Sequence, residues 1–176
     1  MYFVDAAHFV HAPYLGSVWS LVRVFIKSSS GRKRFNVLGA LNAVTKRLIT
    51  ITNDSYINSE TIKELLHKLR DAHEKDFPIH LILDNAKYQH CIVVEDLAKL
   101  LKITLEFLPT YSPNLNLIER LWKFMRKKVL YGKYYEVFQN FKDGITSCVE
   151  NINHSKDYND ELNSLLTFNF QLFDFI

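Results

Sequence analysis

The hydrophobic pattern of this chain changes period near Ser59. On the N-terminal side the apolar runs are short and rich in Val, Leu, Ile and Phe: Tyr2-Phe-Val-Asp5, Trp19 to Ile26, Phe35 to Val44 and Arg47 to Thr52. Runs of this kind predict strands, with a turn over Ser28-Ser-Ser-Gly31 and a tight turn joining the last two. Beyond Ser59 the apolar residues recur three and four apart. Ile62, Leu65, Leu66 and Leu69 predict a helix from about Glu60 to Lys75, capped by Ser59. Two short apolar runs, Ile79–Leu83 and Ile103–Phe107, read as strands set between helices. The helix of about His90 to Lys102 turns Val94, Leu97, Leu100 and Leu101 inward. Further helices are expected over about Leu115 to Leu130 and Tyr135 to Asn153. A polar turn follows, then a Phe- and Leu-rich tail, Leu162 to Ile176, that should dock on the core. The early strands predict a three-stranded antiparallel meander, and the later alternation predicts parallel βα crossovers. The fold class is therefore α/β: a mixed sheet, antiparallel then parallel, flanked by helices.

Simple bounds narrow the class of function. A length of 176 residues suits one domain with a real core. No apolar run approaches the roughly 18 residues that span a bilayer. The N-terminus has no basic stretch leading into an apolar one, so neither a membrane role nor a secretory signal is expected. Cys91 and Cys148 form neither a disulfide framework nor a metal-type pair, which suits a reducing cytoplasm. Charge is uneven. Residues 120–135 carry six cations (Arg120, Lys123, Arg126, Lys127, Lys128 and Lys133) and no acid. A solvated helix face is the plain reading of such a run.

Three carboxylates stand at places where structural elements end or begin. Asp5 and Asp84 each follow an apolar run, and side chains at the carboxyl ends of parallel strands converge on one site. Asp84 taken alone also suits a turn or a helix cap. Glu119 lies beside Ile118 at the edge of the stripe Leu115, Ile118, Trp122, Met125 and Val129, after a helix start at Pro113 and Asn114. Lys123 and Arg126 follow one and two turns along the same face. The plain reading of Glu119 is a surface pair with Lys123, worth only about 0.3–0.5 kcal/mol. The chemical reading is different. Hard divalent cations take oxygen ligands and accept phosphate in the remaining positions, and two such ions can activate one oxygen while stabilising another. Arg120, Lys123, Arg126 and Lys127 would then hold the flanking phosphates of DNA.

The pieces Phe3-Val-Asp5, Asn36-Val-Leu-Gly-Ala40, Leu83-Asp-Asn-Ala86 with His90, and Leu108-Pro-Thr-Tyr-Ser-Pro-Asn-Leu-Asn-Leu-Ile-Glu119 resemble the catalytic domain of DDE transposases. The likeness is to the mariner superfamily in its bacterial insertion-sequence branch. Asp84 and Glu119 have 34 residues between them, a spacing typical of that superfamily. The resemblance covers about residues 1–150 and leaves 151–176 as an aromatic tail packing on that domain. It implies a ribonuclease H-like fold and Asp5, Asp84 and Glu119 as a metal-binding catalytic triad. It implies two Mg²⁺ (or Mn²⁺) ions, nicking at transposon ends, and attack of the freed 3′-OH on target DNA. Asn85 and His90 match positions near the site. Asn85 is expected to support the ligands, and His90 to support them or to contact DNA or the core. A capping Asn and a buried His remain open at these two positions.

The chain departs from the pattern twice. Many relatives carry Glu after the first Asp, where this chain has Ala6. Relatives also carry helix-turn-helix modules ahead of the catalytic domain, whereas only four residues precede Asp5. A separately encoded catalytic half with a helix-turn-helix partner protein, an excised domain and a truncated remnant are the readings this leaves open. A homodimer on DNA is expected, because transposition joins two ends. Two other functions compete: a ribonuclease H-like nuclease that cuts without strand transfer, and a non-catalytic DNA-binding remnant.

Overall fold

The computed structural model describes residues 1–11, 21, 33–86, 88–110 and 112–170. In chain order these form β1 (Tyr2–Val10), β2 (Arg34–Asn42), β3 (Leu48–Asn53), α1 (Ser59–Asp71), β4 (Ile79–Leu83), α2 (Ile92–Leu100) and β5 (Ile103–Phe107). A short 3-10 turn (Pro113–Leu115), α3 (Ile118–Val129), α4 (Phe138–His154) and α5 (Lys156–Leu165) complete the order. The strands make one sheet in the order β3-β2-β1-β4-β5. β1, β2 and β3 pair antiparallel, while β4 lies parallel to β1 and to β5. This is the mixed sheet expected from the change of period.

The pleat sends alternate residues of β1 to opposite faces. Tyr2 and Val4 join the apolar cluster built with α1 and α2, whereas Phe3, Ala7 and Phe9 join the cluster built with α3, α4 and α5. Asp5 shares the parity of Phe3 and Ala7, so it points toward α3.

Several boundaries differ from the sequence expectations, each for a physical reason. β1 does not stop at Asp5. It runs on to Val10 because β2 pairs with it along its whole length, which puts Asp5 inside the strand. Asn58, not Ser59, caps α1. Its side chain accepts from Thr61 N while Thr61 reaches back to Asn58 N, and the helix closes at Asp71 rather than Lys75. β2 ends at Asn42 because Asn42 Oδ1 takes the N–H groups of Val44 and Thr45, both at 2.9 Å. α2 begins at Ile92 rather than His90 and buries Val94 and Ala98; Leu100, expected inward, is 78% exposed. The segment after Pro113 starts as a 3-10 turn, and α3 proper begins at Ile118. α4 continues across residue 150, and Leu162 and Leu166 are buried in the same cluster as α3. The strand expected over residues 19–26 lies outside the described residues apart from Leu21, and so do the turn at 28–31 and residues 171–176 of the tail.

Candidate active site

Asp5 and Asp84 approach each other through strand register. Val4 pairs with Leu83 in the parallel β1–β4 ladder, so the two aspartates follow one step later on adjacent strands. Asp84 begins the loop after β4. Glu119 arrives from the other layer, in the first turn of α3, where a negative charge also suits the helix dipole. Asp5, Asp84 and Glu119 line one cavity of about 370 Å³, together with Asn85, Ala86, Leu108, Pro109, Thr110, Ser112 and Asn116. A larger cavity of about 800 Å³ opens between α1 and α2, but it holds none of these groups.

Asp5 is held from α3 itself. Trp122, one turn after Glu119, donates from Nε1 to Asp5 Oδ2 at 3.0 Å. Its indole, 1% exposed, lies over Gly39, the β2 residue paired with Asp5 across the ladder. The same α3 face thus carries an acid for the site and a donor that fixes a second acid.

The electrostatics show that the three carboxylates feel one another. Burial pushes the Asp5 carboxyl up to about 7, and the negative charges of Glu119 and Asp84 add to that. The Ala6 amide and the Trp122 indole pull it back. Burial and then the fields of Asp84 and Asp5 raise the neighbouring Tyr88 phenol to about 12. Asp5 binds its proton more tightly folded than unfolded, so metal-free protein should lose stability as pH rises from about 4 through 7. The loss amounts to a few kcal/mol at about 1.4 kcal/mol per pKa unit. Urea midpoints of chelator-treated protein between pH 5 and 8 should fall accordingly, and Mn²⁺ should restore more stability at pH 8 than at pH 5. A flat profile would contradict this burial of Asp5.

The donor set fits a hard divalent cation. Asp84 Oδ1 and Asn116 Oδ1 are both buried without a hydrogen-bond partner, and both residues line the cavity. Burying unpaired acceptors is unfavourable by roughly 1–3 kcal/mol each unless something satisfies them. Among the described residues, however, no three His, Cys, Asp or Glu side chains are gathered closely enough to hold one ion together. Lining one cavity and closing into one ligand cluster are separate conditions, and Asp5, Asp84 and Glu119 meet the first.

The other sequence candidates separate. Asn85 is exposed at the cavity rim. His90 does not line the cavity: its Nδ1 pairs with Glu95 Oε1 at 2.5 Å and its ring packs on Phe107. Arg120 turns away from the basic face. Its guanidinium donates to the backbone carbonyls of Thr167 at 2.8 Å and Asn169 at 2.6 Å and lies over Phe170. Lys123, Arg126 and Lys127 are exposed, and among the described residues none of them makes an ion pair; Arg126 lies 5.9 Å from the Phe9 ring. No ion pair joins Glu119 to Lys123. Asn116 and Trp122 are site residues that the sequence reading above does not include, although Asn116 sits one turn before Glu119 and Trp122 one turn after it. That i±3 spacing was the available signal.

Comparison with known proteins gives the family and the fold. A family model described as DDE superfamily endonuclease matches residues 1–142. An uncharacterised protein of Sinorhizobium fredii, y4pE/y4sA, is 33% identical over 93 residues, 53% of this chain and 64% of that one. The Mos1 transposase paired-end complex with left transposon end aligns at a TM-score of 0.70 and 12% identity, over 94% of this chain and 51% of that chain. The Mos1 mariner paired-end complex with Mn aligns at 0.65 and 14% identity, over 92% and 51%. The chain therefore spans about half the length of those transposase chains and 64% of the curated relative. At such identities the solved structures establish the fold, the ribonuclease H-like sheet shared by transposase and integrase catalytic domains. With most of its length matched by the family model and three carboxylates on one cavity, the chain belongs to the DDE superfamily of endonucleases.

Proposed function

We propose that this chain is the catalytic domain of a transposase of the mariner superfamily, in its bacterial insertion-sequence branch, which cuts and joins DNA using Mg²⁺ or Mn²⁺. The observation that carries the reading is the meeting of Asp5, Asp84 and Glu119 on one cavity, with an oxygen of Asp84 left unpaired. These three carboxylates would hold two divalent ions. When bound, such a pair activates a water or 3′-OH oxygen for attack on a phosphodiester and stabilises the oxygen that leaves.

The chain's own residues do the rest. Trp122 holds one oxygen of Asp5 and so fixes that carboxyl at the cavity. Exposed Lys123, Arg126 and Lys127 take the flanking phosphates, a sequence-independent and salt-sensitive contribution. Arg120 stands outside that group and fastens the C-terminal segment instead. Residues 1–150 form the catalytic domain, and the tail from 151 braces it. Likeness to a transposase solved with its transposon end and with manganese supports DNA and a divalent cation as partners. Joining two ends calls for a homodimer on DNA, with end recognition supplied by a helix-turn-helix module. In a bacterial element the DNA substrate would lie in the cytoplasm. Among the described residues, no helix is long and apolar enough to cross a membrane.

The test is a strand-transfer assay. The protein is incubated with pre-cleaved ends of its own element, target plasmid and Mg²⁺ or Mn²⁺, with and without chelator. Metal-dependent joined products are expected. Cutting without joining would instead favour a plain nuclease. DNA binding with no metal-dependent chemistry, even with an end-recognition protein supplied, would sink both enzyme readings and leave a DNA-binding remnant.

A further inference from the structure

We infer that Asn116 supplies a neutral fourth oxygen to the divalent-cation site of Asp5, Asp84 and Glu119; this rests on the metal reading above. Asn116 occupies the break between the 3-10 turn and α3 and is only 3% exposed. Its Nδ2 donates to the carbonyl oxygen of Val4 at 3.3 Å. A carbonyl can only accept, so the amide nitrogen must face Val4 and the orientation of the side chain is settled. Oδ1 therefore faces away from Val4, and it is buried with no partner in a side chain that lines the carboxylate cavity.

Two facts make a ligand the fitting explanation for that oxygen. Asp84, which lines the same cavity, also has a buried oxygen without a partner, Oδ1, and two acceptors cannot satisfy each other; both call for a cation or its bound water. A cavity already lined by three acids gains a further donor without further repulsion only if the donor is neutral, and amide carbonyls serve hard cations well. The tether adds placement. Val4 precedes Asp5 and Asn116 precedes Glu119 by one turn, so one side chain links the strand carrying the first acid to the turn that launches the third.

The experiment titrates the full chain with Mn²⁺ alone by calorimetry, comparing wild type, Asn116→Leu, Asn116→Ala and Asn116→Asp, with melts in chelator alongside. Asn116→Leu and Asn116→Ala should lose about 10–100-fold in Mn²⁺ affinity, the scale seen when groups supporting a metal are removed. Asn116→Asp loses the donor to Val4 but keeps an oxygen, so it should bind Mn²⁺ at least as tightly as wild type. The alanine variant serves if the leucine variant does not fold. A purely structural tether would give another pattern: all three variants melt lower in chelator yet bind Mn²⁺ like wild type, which would overturn the inference. Wild type that binds no Mn²⁺ would overturn the metal reading itself, a result distinct from loss of Asn116 alone.

Discussion

Glu119→Gln should abolish metal-dependent strand cleavage and joining, by on the order of 10³-fold or more, about 4 kcal/mol of transition-state stabilisation. The fold should survive. Gln fills nearly the same volume at the edge of α3, and Glu119 makes no ion pair among the described residues. Two small effects oppose each other. The first turn of α3 loses an anion that suits the helix dipole, worth about 0.3–1 kcal/mol. The cavity loses one of the charges that raise Asp5, which relieves repulsion in the metal-free protein. The melting temperature in chelator should therefore shift little, while the stabilisation by Mn²⁺ shrinks. Paired melts with and without Mn²⁺, run beside the strand-transfer gel, read both. A variant that joins DNA at the wild-type rate would remove Glu119 from the triad. One that loses its fold would make Glu119 a structural residue.

A single methyl group at Gly39 should be nearly as damaging by another route. A Cβ there would lie 2.6 Å from Trp122 Cη2, 3.0 Å from Cζ2 and 3.1 Å from Ile118 Cδ1. These atoms belong to a closed layer between β2 and α3, and overpacking of such a core costs about 1–3 kcal/mol. Relief requires the indole to move, and its Nε1 is the donor that holds Asp5. Gly39→Ala should therefore lower the urea midpoint and also weaken Mn²⁺ binding, although residue 39 never touches the cavity. Trp122→Phe separates the two effects: it keeps most of the packing but leaves a buried carboxylate short of a donor, a loss of roughly 1.5–3 kcal/mol for a bond to a charged group. If Gly39→Ala matched wild type in both stability and Mn²⁺ affinity, the indole would not be locked between strand and acid as described.

Some of the fold was legible because its signals are local. β4 and β5 have the bounds expected from their apolar runs, and the change of period near Ser59 separated antiparallel from parallel pairing. Other features were not legible because their causes are distant. The Ala6-Ala-His8 stretch of β1 has little strand character of its own and stays extended because β2 pairs with it throughout. The inward face of α2 depends on where the helix starts, and nothing in its own residues marks Ile92 over His90. Arg120 reads as one more cation of a basic run until the C-terminal segment returns to cover it with carbonyls.

The site divides in the same way. From residue types and spacing alone came the three acids, the class of metal they suit and the family they resemble, because strand ends, turn chemistry and helical period are written in neighbouring residues. Only the tertiary structure decided that Trp122 donates to Asp5 across 117 positions, that Gly39 must lack a side chain to admit that indole, and that Asn116 reaches Val4 across 112 positions with its oxygen left over. The physical reason is that hydrogen bonds and steric contacts act over a few ångströms in space. Which residues come that close depends on how α3 lies across the sheet, and no local pattern in the chain records that.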